Sequence, residues 1–247
     1  MYSWLLKHKG IRDFDQKLRR AEEQNRLFDF ILKANNGSNS NAQLKQDVFA
    51  LIVNRFKTDG FFVEFGATDG KSLNNTFVLE TQYSWKGILA EPAKMWHDEL
   101  RKNRDCSLDF DCVWSVTGEQ LEFDMVDKAG ELSTISRFAS SDRHAKARSE
   151  KTTYNVTSVS LLDLLKRHNA PSVDDYLSVD TEGSEFDILS VFPFKEYRFN
   201  CITVEHNFTK QRELIRELLE ANGYRRVFDH ISRWDDWYVH GALFDGR

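Results

Sequence analysis

Residues 61–76 read FFVEFGATDGKSLNNT. Mostly apolar residues run into Glu64, then into the turn Gly66-Ala67-Thr68-Asp69-Gly70, then into a polar loop rich in Asn. A buried parallel strand delivers backbone N–H groups and one carboxylate to a ligand in this way, at its C-terminal edge. The glycine spacing is neither G-x-G-x-x-G nor G-x-x-x-x-G-K-[ST], which argues against a nicotinamide dinucleotide and against a triphosphate on a P-loop.

Outward from this stretch, strands and helices alternate. Strands are expected at residues 61–65, 85–90, 108–114, 154–159, 176–179 and 201–204, with an added strand at 120–126. Helices are expected at 43–56, from Pro92 onward, at 161–168 behind a Ser160 cap, at 186–191, and at 209–222 closed by Gly223. Residues 224–228 and 237–239 suit a final antiparallel hairpin. Such alternation predicts an α/β domain whose parallel sheet carries helices on both faces.

The 247 residues suffice for one such domain plus an extension. Residues 11–33 read as a charged amphipathic helix and 35–41, NNGSNSN, as a linker. The chain therefore divides into an N-terminal helical extension over 1–40 and a main domain over 41–247. The extension suits either a homo-oligomerisation arm or a helix packed on the core. The formal net charge of −5 disfavours a dedicated nucleic-acid binder. No run approaches the ~20 apolar residues of a membrane span. The opening MYSWLLKHKG has too short an apolar run for a signal peptide. Cys106, Cys112 and Cys201 lack C-x-x-C spacing and read as reduced thiols, so a cytoplasmic location is expected.

Polar or acidic residues fall at successive strand ends: Glu64, Glu91, Asp180, Glu205 and His206. That is the edge where open α/β sheets bind ligands. S-adenosylmethionine (SAM), with an ammonium, a sulfonium and two ribose hydroxyls, is the leading cofactor. Glu64 suits the ammonium, and Gly66 allows close backbone approach. Asp69, Ser72, Asn74 and Asn75 suit the amino-acid head or the rim. Glu91 lies 25 residues after Gly66, the position of a ribose-binding carboxylate. Asp111 suits the adenine amine, with Asp109 or the backbone at Cys112 as alternatives.

LSVDTEGSEFDIL, residues 177–189, places Asp180, Glu182 and Glu185 at one turn. Their repulsion calls for a cation nearby: the sulfonium, a divalent metal, or an internal Arg or Lys. Asp180, Glu205 and His206 together suit a Mg²⁺ or Mn²⁺ site. Equally, His206, with Asp180 and Glu205, suits general-base work on a hydroxyl. Arg137, Arg143, Lys146 and Arg148 suit either an anionic acceptor or a solvated face. Trp234, Trp237 and Tyr238 suit either sugar stacking or core packing.

These motifs resemble the FkbM-type family of SAM-dependent methyltransferases. The resemblance rests on QLKQDVF at 43–49, FVEFGATDGKSLNNT, GELSTISRF at 130–138, GILAEP, and LSVDTEGSEFDIL followed by VEHN. It spans about residues 42–240 and leaves the N-terminal 40 uncovered. It implies a Rossmann-like, class I methyltransferase fold with a seven-stranded sheet. It also implies O-methylation of hydroxyls on sugars, glycans or related natural products. Glu64, Gly66, Asp69, Asn74 and Glu91 then look like SAM contacts. A nucleic-acid methyltransferase would usually carry an Asn/Asp-Pro-Pro-aromatic turn where Asp180-Thr181-Glu182-Gly183 stands. A SAM-binding module without catalysis is the other alternative.

Overall fold

The structure is a computed structural model, and it describes Glu22, Arg26, Phe28, residues 40–140 and residues 144–243. Most of the expected N-terminal helix and linker therefore lies outside the described residues. Of that segment, Phe28 is buried against Trp237 and Phe228.

The first described helix is α1 (Gln46–Val53), followed by β1 (Phe61–Phe65), α2 (Phe77–Tyr83) and β2 (Lys86–Ala90). Next come α3 (His97–Asn103), β3 (Ser107–Asp109), β4 (Cys112–Trp114), β5 (Gln120–Val126) and β6 (Thr134–Ile135). β7 (Lys151–Ser160), α4 (Leu161–Arg167), β8 (Val173–Val179), α5 (Glu185–Ser190) and β9 (Arg198–Glu205) continue the chain. It closes with α6 (Gln211–Ala221), β10 (Tyr224–Val227) and β11 (Asp235–His240).

The main sheet has seven strands in the order β3-β2-β1-β8-β9-β11-β10. Strands β3, β2, β1, β8 and β9 pair in parallel. β11 runs antiparallel to both β9 and β10. Strand polarity decides which side chain serves which face. Val63, Phe65, Ile88 and Leu177 meet Leu164 of α4, Ile188 of α5 and Ile215 of α6. Phe62, Leu89, Tyr176 and Trp237 alternate with them and meet Phe49 of α1, Leu79 of α2 and Leu100 of α3. Both faces are covered, which is why these strands read as continuous apolar runs. Each such large side chain contributes roughly 1.5–3 kcal/mol by leaving water.

The sheet reverses direction of winding at β1, between β2 and β8. The crevice above that switch point is where an open α/β sheet places its ligand.

Three expectations need correction. The strand expected at 108–114 is two strands in two sheets. Asp109 accepts the Asp111 N–H at 3.0 Å, which turns the chain between β3 and β4. β4 then pairs in parallel with β7, part of a second sheet ordered β4-β7-β5-β6. The helix expected from Pro92 starts later, at His97, behind a short 3-10 turn over Lys94–Trp96. The helix expected at 43–56 is shorter, because Lys45, Arg55 and Phe56 adopt positive φ. α2 covers a stretch, Phe77–Tyr83, for which the sequence reading assigns no element.

Two caps stand as expected. Ser160 Oγ accepts the Asp163 N–H at 3.1 Å, and Gly223 adopts φ +86° behind α6.

Candidate active site

The crevice is a cleft open at its mouth, whose empty space is about 900 Å³ with the adjoining solvent included. Glu64, Gly66, Asn74, Asn75, Glu91 and Asp180 all line it, so sequence-expected residues from three strand ends converge there.

Gly66 follows β1 at φ +81°, and an added Cβ would fall 1.8 Å from the Asp180 carbonyl oxygen. Only glycine permits β1 and β8 to end this close together. Their tips are joined by the Asp180 N–H donating to Phe65 O at 3.3 Å.

Glu91 ends β2. Its Oε2 accepts the Thr68 N–H and its Oε1 the Ala93 N–H, each at 2.8 Å. The carboxylate thereby ties the first turn to its own strand, and each oxygen keeps a further lone pair. Burial pushes its pKa up to about 7, against the pull of those two N–H groups.

Glu64 is buried and takes the Asn75 N–H at 2.9 Å and the Thr76 hydroxyl. Burial raises its pKa, while the Arg104 guanidinium and the Thr76 hydroxyl oppose the rise. Asn75 donates to Ser178 Oγ at 3.0 Å. Its Oδ1 is buried in the cleft wall without a hydrogen-bond partner. A buried acceptor left this way is costly, unless a ligand supplies the donor.

Arg104, at the end of α3, is the residue that sequence reasoning missed on this side. Its side chain is fully buried beneath the 70–76 loop. It donates to Gly70 O at 3.0 Å, Asn74 Oδ1 at 2.8 Å and Thr76 Oγ1 at 3.0 Å, and pairs with Glu80. Nothing in the local pattern marks it: it reads as one more cation in a last helical turn.

Asp180 ends β8 on the other side. The Glu205 carboxylate lies within 4.8 Å of it, and burial pushes both carboxyls well above the ordinary carboxylate range. Two acids this close hold a proton between them.

The third acid of the expected cluster, Glu182, is paired with Arg148 at 2.8 Å. Glu185 instead caps the turn, accepting the Thr181 and Gly183 N–H groups at 3.0 Å each. The cation that this turn calls for is thus an internal arginine. Arg148 is buried and also donates to Leu132 O at 2.8 Å, which corrects the expectation of a solvated face at that position.

Other expected residues sit elsewhere. Asp69 closes its own turn by accepting the Lys71 N–H at 2.8 Å and the Ser72 N–H and hydroxyl at 2.7 Å each. Neither Asp69 nor Ser72 is among the residues lining the cleft. Asp111 pairs with Arg167 at 2.8 Å and also lies off the lining, whereas Cys112 and Val113 are on it.

His206 is buried outside the cleft lining. Its Nδ1 accepts the Phe208 N–H at 3.0 Å, and its Nε2 faces Asp236 at 3.8 Å. Burial pulls its pKa down to about 4. In the neutral ring the Nδ1 lone pair is taken and Nε2 carries the hydrogen, so no basic nitrogen faces the cleft. The expectation of His206 as base is corrected accordingly.

The expected metal set changes with it. Among the described residues, the carboxylates of Asp180, Glu182 and Glu205 approach within 4.8 Å of one another, without His206. The Arg148 guanidinium already neutralises Glu182 there, so the donor set does not fit Mg²⁺ or Mn²⁺.

Gln46 of α1 and Asp235 of β11 also line the cleft, hydrogen-bonded to each other at 2.8 Å across 189 positions of sequence. Burial pushes Asp235 up to about 7. Trp234 lines the cleft as well, while Trp237 and Tyr238 are fully buried core residues.

The strand order, the glycine-bearing β1 tip and the acidic β2 tip define a Rossmann-like class I methyltransferase domain. Residues 64–226, more than half of the chain, match the family described as Methyltransferase FkbM domain, and the chain belongs to that family. Comparison with curated protein sequences finds no significant match. Among solved structures, a precorrin-6y C5,15-methyltransferase from Geobacter metallireducens is 10% identical, with a TM-score of 0.42 over 73% of this chain and 71% of that one. A fibrillarin/Nop5p complex is 9% identical, with a TM-score of 0.40 over 77% and 78%. Those likenesses are low, and the family assignment rests on the domain match.

Proposed function

We propose that this protein is a SAM-dependent O-methyltransferase acting on a hydroxyl of a sugar, a glycan or a related natural product. The observation that carries this reading is the placement of Glu91 and Asp180 on opposite sides of Gly66, at the crevice where the sheet changes winding. One acid ties down the cofactor side, and the other faces it across a glycine-wide gap.

The residues present fit SAM. Glu91 retains lone pairs for two ribose hydroxyls. The unpartnered Asn75 Oδ1 and the Glu64 carboxyl suit the ammonium of the amino-acid head. Val113, Phe123 and Ile135 supply the apolar wall that a purine needs. When bound, SAM supplies an electrophilic methyl group, so the protein's work is positioning and proton transfer.

Asp180 takes that second task. Burial and the neighbouring acids push its pKa up to about 8, so its ionised, basic oxygen is populated as pH rises toward that value. That oxygen accepts the proton of the attacking hydroxyl. Burial of the pair raises its basicity toward what the task needs.

The test is methyl incorporation from labelled SAM into a panel of glycans and polyhydroxylated natural products, beside Asp180→Asn. The expected result is transfer by the native chain and a loss of about 10²–10⁴-fold in kcat in the variant, with SAM binding retained. SAM binding by calorimetry without transfer to any hydroxyl would replace this reading with that of a non-catalytic SAM-binding module.

A further inference from the structure

The cleft has two walls of different origin. Glu64, Gly66, Asn75 and Glu91 belong to the residues matched by the family, whereas Gln43, Gln46, Trp234 and Asp235 lie outside the matched span of 64–226. The flanks of the domain therefore return to its centre and build one side of the site.

This flanking wall is held in place. Gln46 Nε2 donates to Asp235 Oδ2 at 2.8 Å, and Asp235 pairs in register with Glu205 across β11 and β9. Trp234 O accepts the His206 N–H at 2.8 Å, which fixes the Trp234 backbone at the end of β9. The wall thus stands beside Asp180 and Glu205, on the side away from Glu91.

Its chemistry is selective. The cleft lining carries the carboxyls of Glu64, Glu91, Glu131, Asp180, Glu182 and Asp235, and among the described lining residues there is no Lys, Arg or His. Arg148 is consumed by Glu182. The cleft consequently offers acceptors such as the orphaned Asn75 Oδ1 and, among the described lining residues, no cationic donor. A bound molecule has to bring the donors. Hydroxyl groups do so, while a carboxylate or phosphate would leave water without meeting a cation among the described lining residues. The same lining counts the Trp234 indole, the Gln43 and Gln46 amides and the Asp235 carboxyl among its residues, which pairs apolar area with hydrogen-bonding groups.

We propose that Gln43, Gln46, Trp234 and Asp235 form the acceptor-reading wall, and that it selects an uncharged polyhydroxylated ring over its anionic counterparts. This inference rests on the O-methyltransferase reading above and narrows it.

The experiment uses the full chain loaded with S-adenosylhomocysteine. Ligand-observed NMR measures binding of methyl pyranosides of several configurations, each beside its uronate and its 6-phosphate. The expected result is binding of at least one pyranoside, with both charged relatives about tenfold weaker or more. Gln43 is exposed, so Gln43→Ala tests the wall without threatening the core. That variant and Trp234→Ala should each weaken the pyranoside by about three- to tenfold while S-adenosylhomocysteine affinity stays within about twofold. Trp234→Phe should keep part of the binding, because a ring remains.

Equal or tighter binding of the uronates or phosphates overturns the proposal, as does absence of pyranoside binding. So does a parallel loss of S-adenosylhomocysteine affinity in the variants, which would assign the wall to the cofactor. Methyl transfer to an anionic acceptor would sink this inference and keep the O-methyltransferase reading. Pyranoside binding at the wall without transfer would do the reverse.

Discussion

The two sides of the cleft solve one electrostatic problem in different ways. On the β1–β2 side, Arg104 lies under the 70–76 loop and satisfies a backbone carbonyl and two side-chain oxygens with three donors. The carboxyls of Glu64 and Glu91 there are held by N–H groups of the adjoining turns. That side is a cradle built from neighbouring sequence. On the β8–β9 side, the compensating cation comes from a distant loop, Arg148, and pairs with Glu182. Asp180 and Glu205 are left to share a proton. The first arrangement makes a rigid receptor, and the second leaves a group able to exchange protons.

The contrast can be broken at the point where the sides touch. Gly66→Ala should have the largest effect, because its methyl would overlap the Asp180 carbonyl oxygen at a positive φ. The expected loss is on the order of 3–5 kcal/mol, read by denaturant unfolding. Tolerance of alanine there would remove the claim that the two tips must meet so closely.

The two arginines sharpen the contrast next. Removing either guanidinium strands a buried partner, at a cost of roughly 3–5 kcal/mol each. Function should separate them. Arg104→Gln should weaken SAM binding, by about tenfold or more, through release of the 70–76 loop. Arg148→Gln should leave SAM affinity nearly intact and lower turnover. Calorimetry beside kinetics distinguishes the pair, and the same loss of SAM affinity in both would erase the distinction.

A pH titration probes the cradle alone. Burial lifts Glu91 to about 7, and the ionised form is the better acceptor for ribose hydroxyls. Protonation as pH falls through about 7 therefore removes binding capacity. SAM affinity should decline on acidification, by at most about tenfold per pH unit, and be flat well above pH 7. In Glu91→Gln that dependence should disappear.

His206 should give the smallest effect. With Nδ1 occupied and Nε2 turned to Asp236, His206→Gln should keep kcat within about threefold of the native chain. A loss of a hundredfold with the fold intact would restore it as a base.

The cradle was largely legible in the linear sequence, because its chemistry is local. Glu64, Gly66 and Asn74 belong to one strand–turn–loop unit, and Glu91 ends the next strand. The acceptor side was legible only in part. Asp180 was visible as a strand end, but the partner that settled Glu182 came from position 148, inside a loop with several cations. The metal expectation failed for the same reason, since composition cannot tell a resident arginine from an absent ion. Asp69 and Ser72 look like ligands from their positions, yet an Asp-Gly turn satisfies itself internally. Asp111 was lost because its neighbour Asp109 turns the chain, splitting one expected strand between two sheets.

The sequence by itself determined the alternation of buried strands and helices, the glycine that permits two strand ends to approach closely, and the acids at successive strand tips. These follow from short-range rules: side-chain periodicity, backbone freedom at glycine, and the polarity change at a strand end. Tertiary structure alone decided which acids keep their charge, which proton is shared, and that α1 and β11 meet at the cleft through Gln46 and Asp235. Those outcomes depend on burial and on partners brought from up to 189 residues away, which no local pattern encodes.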